Sequence, residues 1–123
     1  MHPLPKPEAP NSSTLVEIPG NWYTEDSTPL QFWPHTHNSH GYVDVRVVER
    51  MWMDRFEFLR SEIEDGEQEM LIYPFILHPD AGGQAHVIGM IERVLSWLKG
   101  RGEEVEFVTF ESIAETWKVA HAV

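Results

Sequence analysis

The chain has 123 residues, 20 acidic against 9 basic side chains for a formal net charge of -11, and no cysteine. One domain fits that length, and without cysteine a disulfide scaffold, a Cys-x-x-Cys redox centre and a thiolate zinc site are all excluded. The acidic surplus argues against nucleic acid and anionic membranes, both of which select basic surfaces.

With 41% hydrophobic residues and five tryptophans, the chain has ample material for a folded core. Residues 1–13 (MHPLPKPEAPNSS) read as an extended, proline-rich arm, and residues 14–123 as the folded domain. The arm lacks the charged and apolar regions of a secretory signal, and no stretch approaches the roughly 20 apolar residues of a membrane span. The expected location is therefore cytoplasmic.

Residues 14–18 (TLVEI) form a short β-like run that stops at Pro19-Gly20. Residues 20–43 are rich in aromatics, Pro, Asn, Ser and His, without a period; an ordered loop of that length is usually functional. Then Val45, Val48, Met51, Trp52, Phe56 and Leu59 recur at helical spacing behind Asp44, a natural N-cap. This predicts a helix of about 18–20 residues that runs out in the acidic stretch 62–69. Met51, Trp52, Met53 and Trp97 read as core.

Residues 70–77 (MLIYPFIL) are almost continuously apolar, as expected of a strand buried on both faces of a sheet. A second helix is written by Val87, Ile88, Ile91, Val94, Leu95 and Leu98, with Gly100 or Gly102 as its stop. Residues 105–108 give a last strand, and Thr109 caps a final helix in which Phe110, Ile113, Ala114 and Trp117 share a face. Strands alternating with amphipathic helices predict an α/β fold with a parallel sheet. Three doubly buried strands need flanking strands, which implies the last three units of a larger barrel or sheet, or a dimer that shares its sheet.

In α/β proteins reactive groups gather at the carboxyl ends of parallel strands. His78, directly after the apolar run, meets that test, and the amides of Gly82-Gly83 stand near the start of the next helix. A histidine there suits a general acid, because its ordinary pKa of about 6.5 permits proton donation near neutrality. It also suits a purely structural role, bonding the turn and orienting Pro79. The loop 20–43 places Trp22 beside Asp26, a pairing that fits a polyhydroxyl ligand or, more plainly, a loop anchor and a turn cap. His35, His37 and His40 are three imidazoles within six residues that could ligate zinc as a new metal site, although they form no i, i+4 pair and no carboxylate sits at a natural third-ligand position beside them.

Several short stretches then come in order: LVEIPGNW at 15–22, NSHGY at 38–42, MWMDRF at 51–56, ILHPDAGG at 76–83 and EFVTFESIA at 106–114. This series resembles the C-terminal half of the polysaccharide deacetylase (NodB-homology) family, in its peptidoglycan-deacetylase and allantoinase-like branch. The resemblance implies the last three βα units of a distorted (β/α) barrel, a divalent metal (usually zinc) and hydrolysis of an amide C–N bond such as an N-acetyl group on an amino sugar. It makes His78 the histidine that protonates the leaving group, and Trp22, Asp26, His40 and Pro79 residues of the substrate cleft.

The departures from the family pattern are equally specific. No Asp-Asp motif after a strand precedes Leu15, and no His-x-x-x-His pair is present. The expectation is a domain lacking its metal-binding half and inactive alone, with the zinc ligands not identifiable in this chain. Its partners would be an N-acetylated sugar or related amide as substrate, and a second copy or a partner segment that completes the barrel. The other reading is a non-catalytic remnant that binds a partner chain or carbohydrate.

Overall fold

A computed structural model describes residues 14–36, 41–63 and 71–121. Five α-helices lie in this part: α1 (Ser27–Leu30), α2 (Val45–Ser61), α3 (Pro79–Gly82), α4 (Ala85–Lys99) and α5 (Phe110–His121). Short 3-10 turns occupy Trp22–Thr24 and Gly102–Glu104. The chain divides into two compact units, one of residues 20–106 and one of residues 1–19 with 107–123.

The core of the larger unit lies between α2 and α4. On α2, Val48, Trp52 and Phe56 repeat at i, i+4, i+8, and on α4 Val87, Met90, Val94 and Leu98 do the equivalent. Helix α2 starts where the sequence places it, because the Asp44 carboxylate accepts the Arg46 amide at 2.9 Å. Helix α4 stops at Lys99 before Gly100, and Gly102 takes a left-handed φ of 64° that suits glycine. The buried stripe on α4 runs through Met90 rather than through Ile88 and Leu95, which stay exposed. Each helical turn offers alternative apolar positions, and only the position of α2 selects among them.

Residues 71–77 cross this helix pair in extended form. Tyr73 and Phe75 pack on the core, and their rings join Trp52, Phe56 and Trp97 in a series of edge-to-face contacts at 5.1–5.8 Å between centroids. The Tyr73 hydroxyl donates to the main-chain oxygen of Trp52 at 2.7 Å. Ile72 and Leu77 keep about two-fifths of their surface exposed, so this run is not buried on both faces as its composition predicts.

No strand forms among the described residues, which corrects the expectation of three. Residues 14–18, 71–77 and 105–108 lack helix, but a strand needs a laterally bonded neighbour, and a single parallel bridge, Glu25 to Ile76, is the pairing seen here. The segment that pairs with the apolar run is therefore 24–26, inside the expected loop, and not 14–18. Within the loop, Asn21 caps the Trp22–Thr24 turn through the Tyr23 amide at 2.9 Å, and α1 follows directly.

The smaller unit contains α5, whose Thr109 hydroxyl accepts the Ser112 amide at 3.2 Å as an N-cap. Ile113 is buried, and Trp117 stacks on His121 with centroids 3.6 Å apart. No helix among the described residues is long and apolar enough to cross a membrane.

Candidate functional site

The Glu25–Ile76 bridge fixes the geometry of the site. Ile76 donates its amide to the Thr24 oxygen at 3.1 Å, and Asp26 donates its own to the Ile76 oxygen at 3.3 Å. Two residues beyond Ile76, the chain delivers His78 to the Asp26 side chain. The Asp26 carboxylate is fully buried and accepts the His78 amide at 3.1 Å on Oδ1 and 2.9 Å on Oδ2. Oδ1 also faces His78 Nδ1 at 2.7 Å. A carboxylate only accepts, so Nδ1 carries the proton, and Nε2 belongs to a half-exposed ring and makes no hydrogen bond among the described residues.

This arrangement raises the His78 pKa above the ordinary imidazole value. The hydrogen bond that His78 donates to Asp26 is the main cause; partial desolvation opposes it, and the charges of Asp26, Glu25 and Asp80 add to it. The ring is 44% exposed, so it meets solvent while its anchor does not.

Glu25, the buried neighbour, is engaged differently. Its Oε2 accepts the Ser27 amide at 2.9 Å and the Ser27 hydroxyl at 2.6 Å, and its Oε1 accepts the Thr28 amide at 2.7 Å. Burial alone would raise its pKa, but these bonds from Ser27 and Thr28 outweigh it and hold the carboxyl below the ordinary range. Glu25 thus satisfies the free amides at the start of α1 and contributes a second negative charge 3.9 Å from His78 Nδ1.

Glu25, Asp26 and His78 bring donor atoms within 4.8 Å of one another, which raises the question of a metal. Their atoms already satisfy each other: Glu25 holds α1, and Asp26 holds the His78 amide and the Nδ1 proton. A metal would need that proton removed and both carboxylates released, so these three residues do not fit one. His35 is exposed in the turn at 34–35, and His37 and His40 lie outside the described residues.

Of the remaining residues named from the sequence, Trp22 is 79% exposed on the turn leading to the bridge, and Pro79 is the first residue of α3, directly after His78. The neighbouring Tyr23 ring lies under the Arg55 guanidinium at 5.7 Å, tying this turn to α2. The Gly82 and Gly83 amides do not face the cleft. They are spent on the His78 and Pro79 carbonyls at 2.7 and 3.0 Å. Sequence reasoning left Asp26 between a substrate ligand and a turn cap, the family resemblance favouring the cleft, and gave Glu25 no part; the structure places both against His78. The signal that could have found Glu25 is the Ser27-Thr28 pair after it, whose amides open a helix.

A groove of about 1080 Å³ lies elsewhere, between the first turns of α2 and α4, and includes neither Asp26 nor His78. Its arginines are paired: Arg46 with Asp44, Arg50 with Asp54, and Arg93 with Glu49 at 2.6 Å. The described residues therefore gather their reactive chemistry at the Asp26–His78 pair.

No protein-family model matches the chain. Two relatives do. The chain is 50% identical over 115 residues to the peptidoglycan deacetylase-like protein FGM2 of Gibberella zeae, covering 93% of this chain and 33% of that protein. It is 33% identical over 101 residues to the peptidoglycan deacetylase of Helicobacter pylori, covering 82% of this chain and 32% of that protein. The chain spans about a third of the length of these relatives and aligns with their C-terminal part. On this similarity the chain is related to the polysaccharide deacetylase family.

Proposed function

We propose that this chain forms the proton-donating side of a site that removes an N-acetyl group from an amino sugar. The observation that carries the reading is the bond from His78 Nδ1 to the buried Asp26 carboxylate. Splitting an amide C–N bond requires a proton on the departing nitrogen, because an amine leaves readily and its anion does not. Asp26 fixes the ring, sets the proton on Nδ1 and stabilises the imidazolium, while Nε2–H of the half-exposed ring meets that nitrogen. Water adds its oxygen to the acyl carbon and releases a proton to solvent. The nitrogen takes the Nε2 proton as the C–N bond breaks, a free amine and acetic acid leave, and the acid ionises to acetate while His78 is reprotonated from solvent.

Activation of the water falls to groups other than Glu25 and Asp26, whose oxygens are bonded to Ser27, Thr28 and His78, and other than His78, which carries both ring protons when it acts as the acid. Trp22, Asp26, His40 and Pro79 remain the substrate-lining set of this reading; Asp26 enters it through His78, and Trp22 offers an exposed ring for a sugar face. The names of the two relatives support a peptidoglycan or similar N-acetylated polymer as the substrate class.

The test is an NMR titration of the histidine ring signals with a tetramer of N-acetylglucosamine. The His78 signals should move with added sugar, those of His35 should not, and His78→Ala should weaken binding. Sugar that leaves the His78 ring untouched sinks the reading.

A further inference from the structure

We propose that Gly82 is a positioning residue for His78: its bare Cα leaves the space in which the Asp26 carboxylate sits against that histidine. The proposal deepens the reading above and rests on it. A Cβ built on Gly82 would lie 2.6 Å from Asp26 Oδ2, 3.8 Å from its Cγ and 3.5 Å from Ile91 Cδ1. The backbone does not ask for glycine here, since Gly82 closes α3 outside the left-handed region. Glycine weakens a helix relative to alanine, so its presence at a buried helical position needs another cause. The Asp26 carboxylate is that cause.

A flexible side chain could simply swing away from a new methyl group. Asp26 cannot, because it is fully buried and both its oxygens are bonded to His78. Moving Oδ2 to an ordinary contact of 3.4 Å takes most of an ångström, enough to break hydrogen bonds of 2.7 and 2.9 Å. The neighbouring glycine has a different reason: a Cβ on Gly83 would strike the Pro79 carbonyl, which concerns the turn alone. One turn thus carries both His78 and the gap that admits the partner of His78.

The test reads the His78 ring titration by NMR, with thermal unfolding alongside. The charged groups that face this ring are Asp26, Glu25 and, from its own turn, Asp80. In Gly82→Ala the His78 midpoint should fall towards that of a free imidazole. In an Asp26→Ala background, where the carboxylate is gone, Gly82→Ala should leave the midpoint unchanged and should not lower the melting temperature. A folded Gly82→Ala protein with the native midpoint overturns the proposal, as does an undiminished effect in the Asp26→Ala background.

If Gly82→Ala fails to fold, recovery of folding in the double variant supports the proposal and continued failure overturns it. Asp26→Asn separates this from the parent reading. A midpoint that ignores Asp26→Asn removes Asp26 as the partner of His78. A midpoint that answers Asp26→Asn and ignores Gly82→Ala removes only the role of Gly82.

Discussion

Asp26 and His78, 52 residues apart in the chain, are joined by both carboxylate oxygens to the His78 amide and by Oδ1 to its ring nitrogen at 2.7 Å. The carboxylate is buried and the ring half-exposed, so the anchor is dry and the working atom is wet. A low local dielectric strengthens the bond at its buried end and leaves proton exchange free at the other.

The first prediction concerns pH. His78 is held above the ordinary imidazole pKa, chiefly by its bond to Asp26. A group raised in the folded state stabilises the fold fully below its unfolded pKa and loses that contribution as pH rises through the folded value. Urea unfolding of the wild type should therefore show a loss of stability on the alkaline side of about pH 6.5 that Asp26→Asn does not share. Any reaction that needs protonated His78 should fail at lower pH in Asp26→Asn than in the wild type.

Glu25 makes the opposite case. Its pKa is held down by bonds from Ser27 and Thr28 that outweigh burial, so its contribution is present above the unfolded carboxyl pKa and is lost as pH falls through the folded one. Glu25→Ala leaves the first amides of α1 without their acceptor and should cost about 1 kcal/mol at neutral pH, read from urea unfolding.

Core packing predicts a sharp contrast along one helix. Met90 is fully buried between α2 and α4, whereas Ile88, two residues earlier, is 43% exposed. Met90→Ala should destabilise by about 2–5 kcal/mol, and Ile88→Ala by about 0.5 kcal/mol, in the same unfolding assay. Equal losses would place the core on the wrong face of α4.

Tyr73 offers an optical probe. Burial pushes its phenol up to about 12, against a smaller opposing pull from Arg55. Its stabilising contribution is whole below an unfolded pKa of about 10 and is lost as pH rises through the folded value. In an absorbance titration of phenolate, Tyr73 should give a late component well above the ordinary phenol range. The late component should be missing in Tyr73→Phe.

The sequence made the helices legible because a helix is written locally. Val48, Trp52 and Phe56 announce α2, and Asp44 and Thr109 announce the caps they form, from residues within a few positions of each other. The end of α4 before Gly100 was equally readable. The choice of Met90 over Ile88 was not, because the stripe that is buried depends on where α2 lies.

Strand partners were the least readable part. Residues 14–18 have the better β composition, yet 24–26 bridge to Ile76, because pairing is decided by which backbones arrive side by side. His78 stood out as a candidate from its place after an apolar run. Composition left Asp26 between cap and substrate ligand, and Glu25 went unremarked.

The sequence by itself determined α2, α4 and α5, the Asp44 and Thr109 caps, the acidic balance and the relation to deacetylases, since each rests on short-range order or on residue identity. Only the tertiary structure decided that Asp26 is the buried acceptor of His78 and that the bare Cα of Gly82 stands against the Asp26 carboxylate. The Asp26–His78 bond and the Gly82 approach turn on distances of about 3 Å between residues more than 50 positions apart, and no local pattern encodes such a distance.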